Sequence, residues 1–374
     1  MAYGTVNADV IQTSTSGGIL GAGNASIMKN RIQNGAMVID QRNAGASVTS
    51  ATNGGYTLDR WAIQNNSGAS RYTIQQNAGS VTPPTGFSNY LGCTSTSAYT
   101  VGSGDALGMF QRIEGFNTSD LGWGTANAKT VTLSFQVRSS LTGTFGGAIK
   151  NSADDYSYPF TYTISSANTW TTISVTIAGP TSGTWVGATN GTGVMIIFAL
   201  GTGSTLAGTA GSWSANGYYG ATGQTQVVAT NGATWYVTGV QLEVGSSATG
   251  FEYRLYNQEL SACQRYYEKS YSINVTPATN TAFGTVSLFT SSTPVGYLAG
   301  SRSFLVSKRT SPTITIYSPS GTSGTVADGN TTDYGAGTAN QIGTNGFGLQ
   351  NTSGSTYSPA GNLIYFHYTA SAEL

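Results

Sequence analysis

From about residue 30 to residue 255 the chain reads as strand after strand, and this spacing limits its fold more than any other feature. In residues 131–137 the apolar positions are Val131, Leu133, Phe135 and Val137, with Thr, Ser and Gln between them. A period of two buries one face of a strand and leaves the other to water. Similar runs occupy residues 36–40, 56–63, 71–75, 107–113, 160–164, 171–177 and 234–243. Residues 194–200 are apolar on both faces, as a central strand would be. Asn53-Gly-Gly55, Pro83-Pro84, Asn190-Gly191 and Asn231-Gly232 punctuate the runs as turns. About nine such antiparallel strands predict an all-β fold, a two-sheet sandwich of jelly-roll type.

The rest of the chain divides around this body. Residues 1–29 form a Gly/Ser/Thr-rich arm, too small to bury its own Val, Ile and Leu, with a turn of helix expected from Ser26 to Arg31. Residues 201–230 form a long loop carrying Trp213, Tyr218 and Tyr219, and loops of this length are often functional. Residues 256–275 are expected to be a linking helix, with Leu260, Cys263, Tyr266 and Tyr267 on one face, packed between domains or around a threefold axis. A second, smaller β domain is expected over 276–374, with strands at 283–289, 295–298, 304–306, 313–317 and 363–368. No fixed short repeat appears, which counts against a triple β-helix.

Only 8% of residues are charged, against about 25% in an ordinary domain. The 15 basic and 15 acidic side chains cancel, so no electrostatic case exists for nucleic acid or an anionic membrane. No stretch approaches the roughly 20 apolar residues of a membrane helix. No basic region followed by an apolar run opens the chain, so synthesis and release without a secretion signal are expected. Cys93 and Cys263 are far apart and read as two buried thiols.

Catalytic patterns are missing from the sequence. His367, the single histidine, lies in an alternating strand with no nucleophile pattern around it and reads as packing or surface. Asp154-Asp155 and Glu114 raise the question of a glycosidase pair, but Asp154-Asp155 lies in a polar loop and reads as solvated. Asp40, Asp59 and Glu243 admit either a structural Ca²⁺ or, on the simpler reading, pairing with Arg42, Arg60 and Arg254 or capping of turn N–H groups. No metal or other cofactor is called for. Trp61 and Trp235 read as core, whereas Trp213, Tyr218 and Tyr219 are the candidate sugar contacts, since flat rings with a polar tip suit a half-wet surface.

Taken in order, Asn34-Gly35, Gln41-Arg-Asn43, Tyr56-Thr-Leu-Asp-Arg-Trp61, Arg112-Ile-Glu-Gly115, Val240-Gln-Leu-Glu243, Ala248-Thr-Gly-Phe-Glu252, Arg254 and Cys263-Gln-Arg-Tyr-Tyr267 resemble a module of bacteriophage tail-fibre and related virion proteins. The match covers about residues 30–268, and the arm resembles the opening of cyanophage fibre proteins. The resemblance implies a carbohydrate-binding-like jelly roll in a homotrimeric virion protein. Its arm would dock to other virion proteins, and it would bind host surface glycan without catalysis. Asp59, Arg60, Trp61, Gln241, Glu243, Phe251, Glu252 and Arg254 would be scaffold. A capsid head fibre and a depolymerase tailspike are the alternatives. The last hundred residues match no such pattern and would be the receptor-binding tip.

Overall fold

The computed structural model describes residues 29–289, 298–327, 333–350 and 363–374, together with the backbone of a short antiparallel pair, Ile11–Gln12 with Ile19–Leu20. The rest of the expected arm, and the 295–297 part of a predicted strand, lie outside the described residues. Lys29 to Arg31 are extended, so the helical turn expected there does not reach them.

Eleven strands build the sandwich: β1 (Val48–Thr49), β2 (Ala62–Asn65), β3 (Tyr72–Gln76), β4 (Leu91–Ser95), β5 (Ala106–Glu114), β6 (Val131–Ser139), β7 (Gly143–Lys150), β8 (Ser157–Ile164), β9 (Thr171–Ile177), β10 (Thr192–Thr202) and β11 (Thr234–Val244). One sheet has five strands in the order β8-β7-β10-β5-β2, and the other has six in the order β9-β6-β11-β4-β3-β1. All pairings are antiparallel and the chain crosses repeatedly between sheets, which makes a jelly-roll sandwich. As expected from its two apolar faces, β10 is the middle strand of its sheet.

The two inner faces meet in one apolar core. Leu133, Phe135, Val137 and Trp235 come from the six-stranded sheet, and Met109, Phe145, Ile196 and Phe198 from the other. Phe135 meets Phe198 edge-on with centroids 5.0 Å apart, and the buried Trp235 indole donates to the Tyr162 hydroxyl at 2.9 Å. A buried indole N–H left unmet would cost about 1–3 kcal/mol.

Two predicted strands before β2 are turns. Met37 and Arg60 have φ of 59° and 70°, a left-handed backbone that breaks a ladder. The Asn34 side chain takes over the missing pairing, accepting from Ile39 N and donating to the carbonyls of Ile39 and Asp59. Asp59 is fully buried and accepts from both the backbone and the side chain of Gln41 at 2.7 Å.

The linking helix is shorter than expected. It spans Tyr256–Gln264, and Tyr267–Lys269 is instead a strand that pairs with Leu363–Ser371. Tyr266 and Tyr267 therefore lie beyond the helix, and the second β body starts at Tyr267, ahead of 276. Strand Leu363–Ser371 is its axis, pairing with Thr313–Tyr317 and Val286–Phe289 as well. A three-stranded sheet of Leu298–Ser303, Gly346–Gln350 and Thr338–Asn340 accompanies it. Residues 304–306 are not a strand: the N–H groups of Leu305 and Val306 face the buried Glu268 carboxylate, which also pairs with Lys308 at 2.7 Å.

After that axial strand the chain returns to the sandwich. Glu373 accepts from Arg42 at 2.7 Å and also pairs with Arg60, whose side chain is 1% exposed. The two guanidinium groups lie over the rings of Tyr267 and Tyr266, at 3.7 and 3.6 Å. Burial alone would lower the Arg60 pKa, but the Glu373 carboxylate holds it above its ordinary value. Nearby, Glu114 takes two hydrogen bonds from Arg265 and one from the Tyr266 hydroxyl.

Two stability predictions follow from these buried charges. Removing one partner of a buried ion pair strands the other, so Glu373→Ala should lower unfolding free energy by about 3–5 kcal/mol in urea denaturation. The Asp59 carboxyl is raised to about 6, chiefly by burial, with Arg42 and the Gln41 hydrogen bonds opposing. A raised carboxyl stabilises the fold below its unfolded pKa, and that contribution is lost as pH rises through the folded value. Between pH 4 and 7 the stability gap between the wild type and the non-titrating Asp59→Asn should therefore shift by about 3 kcal/mol, at about 1.4 kcal/mol per unit. A constant gap in paired denaturation curves would refute the assignment.

Candidate functional site

Period two also determines what the five-stranded sheet shows on its outer side. Leu107, Met109 and Ile113 of β5 enter the core, which turns Phe110 and Arg112 outward. On β10, Val194, Ile196 and Phe198 face in, and Met195 and Ile197 face out. The register then sets two rows across the sheet. Ala62, Phe110, Ile197 and Ala148 form one, and Arg112, Met195 and Lys150 form the next. Arg112 and Lys150 are thus separated by two strand spacings, about 9–10 Å between backbones.

The segment after β10 folds back over this face and brings Tyr219 against the outer apolar cluster of Ala62, Phe110, Met195 and Ile197. The Lys150 ammonium sits 3.4 Å from the Tyr219 ring centroid, within cation–π range. Asp154, from the turn between β7 and β8, pairs with Lys150 and accepts from the Tyr219 hydroxyl at 2.6 Å. A Cβ on Gly217 would collide with the Asp154 carbonyl oxygen, so glycine permits the loop to lie this close.

A cleft of about 180 Å³ remains, lined by Asn53, Gln64, Phe110, Arg112, Asp154, Met195 and Tyr219 among others. Arg112 spreads over the Phe110 ring at 4.5 Å and donates from Nη1 to the Leu374 carbonyl oxygen at 2.8 Å. Among the described residues, its Nε and Nη2 have no hydrogen-bond partner, nor does the Gln64 side-chain amide. Burial, then the charge of Arg112, pushes the Lys150 ammonium down to about 7, while contact with Asp154 acts in the opposite sense. The cleft therefore offers apolar walls and unclaimed donors.

The three candidate sugar contacts separate in space. Tyr219 lines the cleft. Trp213 stacks on Tyr156 with centroids 5.7 Å apart, meets Trp123 and Trp185 edge-on and donates to the Ala178 carbonyl at 2.7 Å. Tyr218 packs over Gly208. Gln64, Phe110 and Lys150 were not singled out from sequence, and Arg112 stood only in a motif, not as a sugar contact. The signal for them was there: Phe110 and Arg112 fall on the face opposite Leu107 and Met109, and β10 is apolar on both sides.

The carboxylates raised above are committed to partners. Asp155 accepts from Asn151 at 2.7 Å, while Glu114 is held by Arg265 and Tyr266. Asp40 caps the N–H groups of Asn43 and Gly45, Asp59 binds Gln41, and Glu243 accepts from Thr249 and Gln241. Pairing with the sequence-adjacent arginines, the simpler reading, is thus replaced by capping, because Arg42 and Arg60 turn to Glu373 and Arg254 to Glu252 and Glu259. Among the described residues no group of three or more His, Cys, Asp or Glu side chains could hold a metal.

Apart from Arg112, which lines the cleft, the motif residues named here meet each other. Gln241 accepts from Glu252 N at 2.9 Å, Arg254 donates to the Asn30 and Ile32 carbonyls, Trp61 donates to the Asn34 carbonyl, and Phe251 meets Phe87 edge-on at 5.1 Å. On the short helix Cys263 is buried and Leu260 half-buried, and burial raises the Cys263 thiol well above its usual value. His367 is buried, stacks on Tyr271 at 3.7 Å and bonds Ser270 and the Thr281 carbonyl. A second hollow, of about 330 Å³, lies in the C-terminal body beside Lys269, whose ammonium is tied to the Ile273 and Val275 carbonyls.

No family model matches the sequence, and no curated protein matches it. Three solved structures illustrate what the chain is similar to. A putative sugar binding protein from Bacteroides thetaiotaomicron shares 14% identity over 57% of this chain and 99% of its own, with a TM-score of 0.33. The enzymatically active domain of bacteriophage CBA120 tailspike protein 4 shares 12% over 58% of this chain and 21% of its own, at 0.31. A family 11 carbohydrate-binding module from Clostridium thermocellum shares 14% over 55% and 98%, at 0.26.

Proposed function

We propose that the chain is a carbohydrate-binding protein whose sugar site is the cleft on the outer face of the five-stranded sheet. One observation carries the reading: Phe110, Tyr219 and Met195 line the cleft beside the unpartnered donors of Arg112 and Gln64. Sugar rings present an apolar face edged with hydroxyls, and such a wall-and-donor arrangement meets both. At about 180 Å³ the cleft suits one ring or a chain end, well below the roughly 300–1,000 Å³ of drug-sized pockets. Binding is favoured over hydrolysis because Asp154 is the one carboxylate among the lining residues and is already held by Lys150 and Tyr219, whereas a glycosidase employs a pair.

The finer reading is a bacteriophage tail-fibre subunit, homotrimeric, attached through its N-terminal arm and binding host surface glycan. The motif order over residues 30–268 supports it, and a capsid head fibre is the second reading on the same motifs.

Glycan-array binding should be positive, with no sugar released from any bound polymer. Tyr219→Ala should weaken binding about tenfold or more, given about 1–3 kcal/mol per stacked ring. Trp213→Ala should lower stability and leave affinity within about twofold. Release of reducing sugar, or equal affinity losses in the two variants, would refute the site. For the finer reading, gold-labelled antibody to this chain should decorate virion tails in electron micrographs; label on capsids alone would favour the head fibre.

A further inference from the structure

Charge is scarce in this chain, so where it is left unspent is informative. Several of the described charged groups close on each other at the junction of the two bodies, as Arg42 and Arg60 do on Glu373 and Arg265 does on Glu114. The cleft is different. Its row across the sheet carries Arg112 at one end and Lys150 at the other, with the single carboxylate of Asp154 between cation and solvent. Asp154 is taken up by Lys150, which leaves the Arg112 guanidinium as the cation with unclaimed donors in the hollow.

Arg112 is fixed in a particular way. Its ring-stacked guanidinium is anchored at Nη1 by the Leu374 carbonyl. The opposite edge, Nε with Nη2, has no partner among the described residues and belongs to the cleft lining. That edge presents two parallel N–H donors, the geometry that a carboxylate accepts in bidentate form. Stacking and the Nη1 anchor hold the fork in place before a ligand arrives, which reduces the ordering cost of binding.

We infer that the cleft selects a sugar bearing a carboxylate, a uronate or related acidic residue, with the carboxylate on the Nε–Nη2 edge of Arg112 and the ring between Phe110 and Tyr219. The inference rests on the sugar-binding reading above. The Gln64 amide is placed to bond a ring hydroxyl, and Lys150 adds attraction without direct contact.

The test compares oligogalacturonate with the same oligomer after methyl esterification, by calorimetry on the full chain. The acidic form should bind on the order of tenfold more tightly, and raising salt from about 50 to about 500 mM should narrow the gap. Arg112→Gln should abolish the preference, so that acid and ester bind the variant with equal affinity. Should that variant unfold, the wild-type comparison and its salt dependence still decide. Equal affinity for acid and ester overturns the inference and leaves the sugar-binding reading standing. Binding of neither form, with an empty glycan array, overturns both. Dextran sulfate binding as tightly as the uronate would overturn the carboxylate assignment in favour of general polyanion attraction.

Discussion

The Glu373 carboxylate, held between Arg42 and Arg60, is the contact on which the arrangement of the molecule depends. Both arginines leave the sandwich from turns that precede β2, and the carboxylate arrives on the chain that leaves the C-terminal axis. Three charges buried together are tolerable only when each is paired and hydrogen-bonded. Here Glu373 pairs with both guanidinium groups, Arg60 also bonds Gln33 and the Arg112 carbonyl, and Arg309 bonds the Ala372 and Glu373 carbonyls, while Arg42 Nε is buried without a hydrogen-bond partner among the described residues. An apolar junction would permit sliding, whereas this one has a single register. That register places Leu374 against Arg112 and so sets one rim of the cleft.

The sandwich was legible because period two survives in strands with one wet face, as in β6 and β9. Three strands went unread, of which β1 is only Val48–Thr49. β4 is Leu-Gly-Cys-Thr-Ser and β7 is Gly-Thr-Phe-Gly-Gly-Ala-Ile-Lys, and their small residues give little contrast between faces. Those glycines have packing reasons: a Cβ on Gly147 would strike the Ile197 carbonyl and the Phe160 ring. The errors elsewhere share one cause, a side chain taking the place of a ladder. Asn34 supplies the bonds near residues 36–40, and Glu268 does so near 304–306. Hydropathy registers where apolar atoms go and is silent on whether a backbone N–H meets a carbonyl or a carboxylate.

The helix overran for a related reason. Leu260, Cys263, Tyr266 and Tyr267 keep a helical spacing, yet the two tyrosines are buried by what they stack under, Arg60 and Arg42, and not by a helix face. The site was half legible. A long aromatic loop pointed to Tyr219 but also to Trp213, and sequence alone could not tell a ring that lines a hollow from one wedged among four others. The deciding fact is tertiary: the loop returns over the outer face of β10, whose Met195 and Ile197 would otherwise meet water.

Junction and cleft share Arg112, and its two edges keep the roles apart. The Nη1 corner belongs to Leu374 and the Nε–Nη2 edge belongs to the cleft. A ligand on the free edge therefore does not compete with docking of the C-terminal body. It gains from it, because the Leu374 bond and the Phe110 face fix the guanidinium plane in advance. In a chain with so few charges, one arginine held this way gives more discrimination than several mobile lysines, since its geometry as well as its charge must be matched. On the sugar-binding proposal, the rings would supply contact area and the arginine would decide which sugars satisfy the donors left exposed.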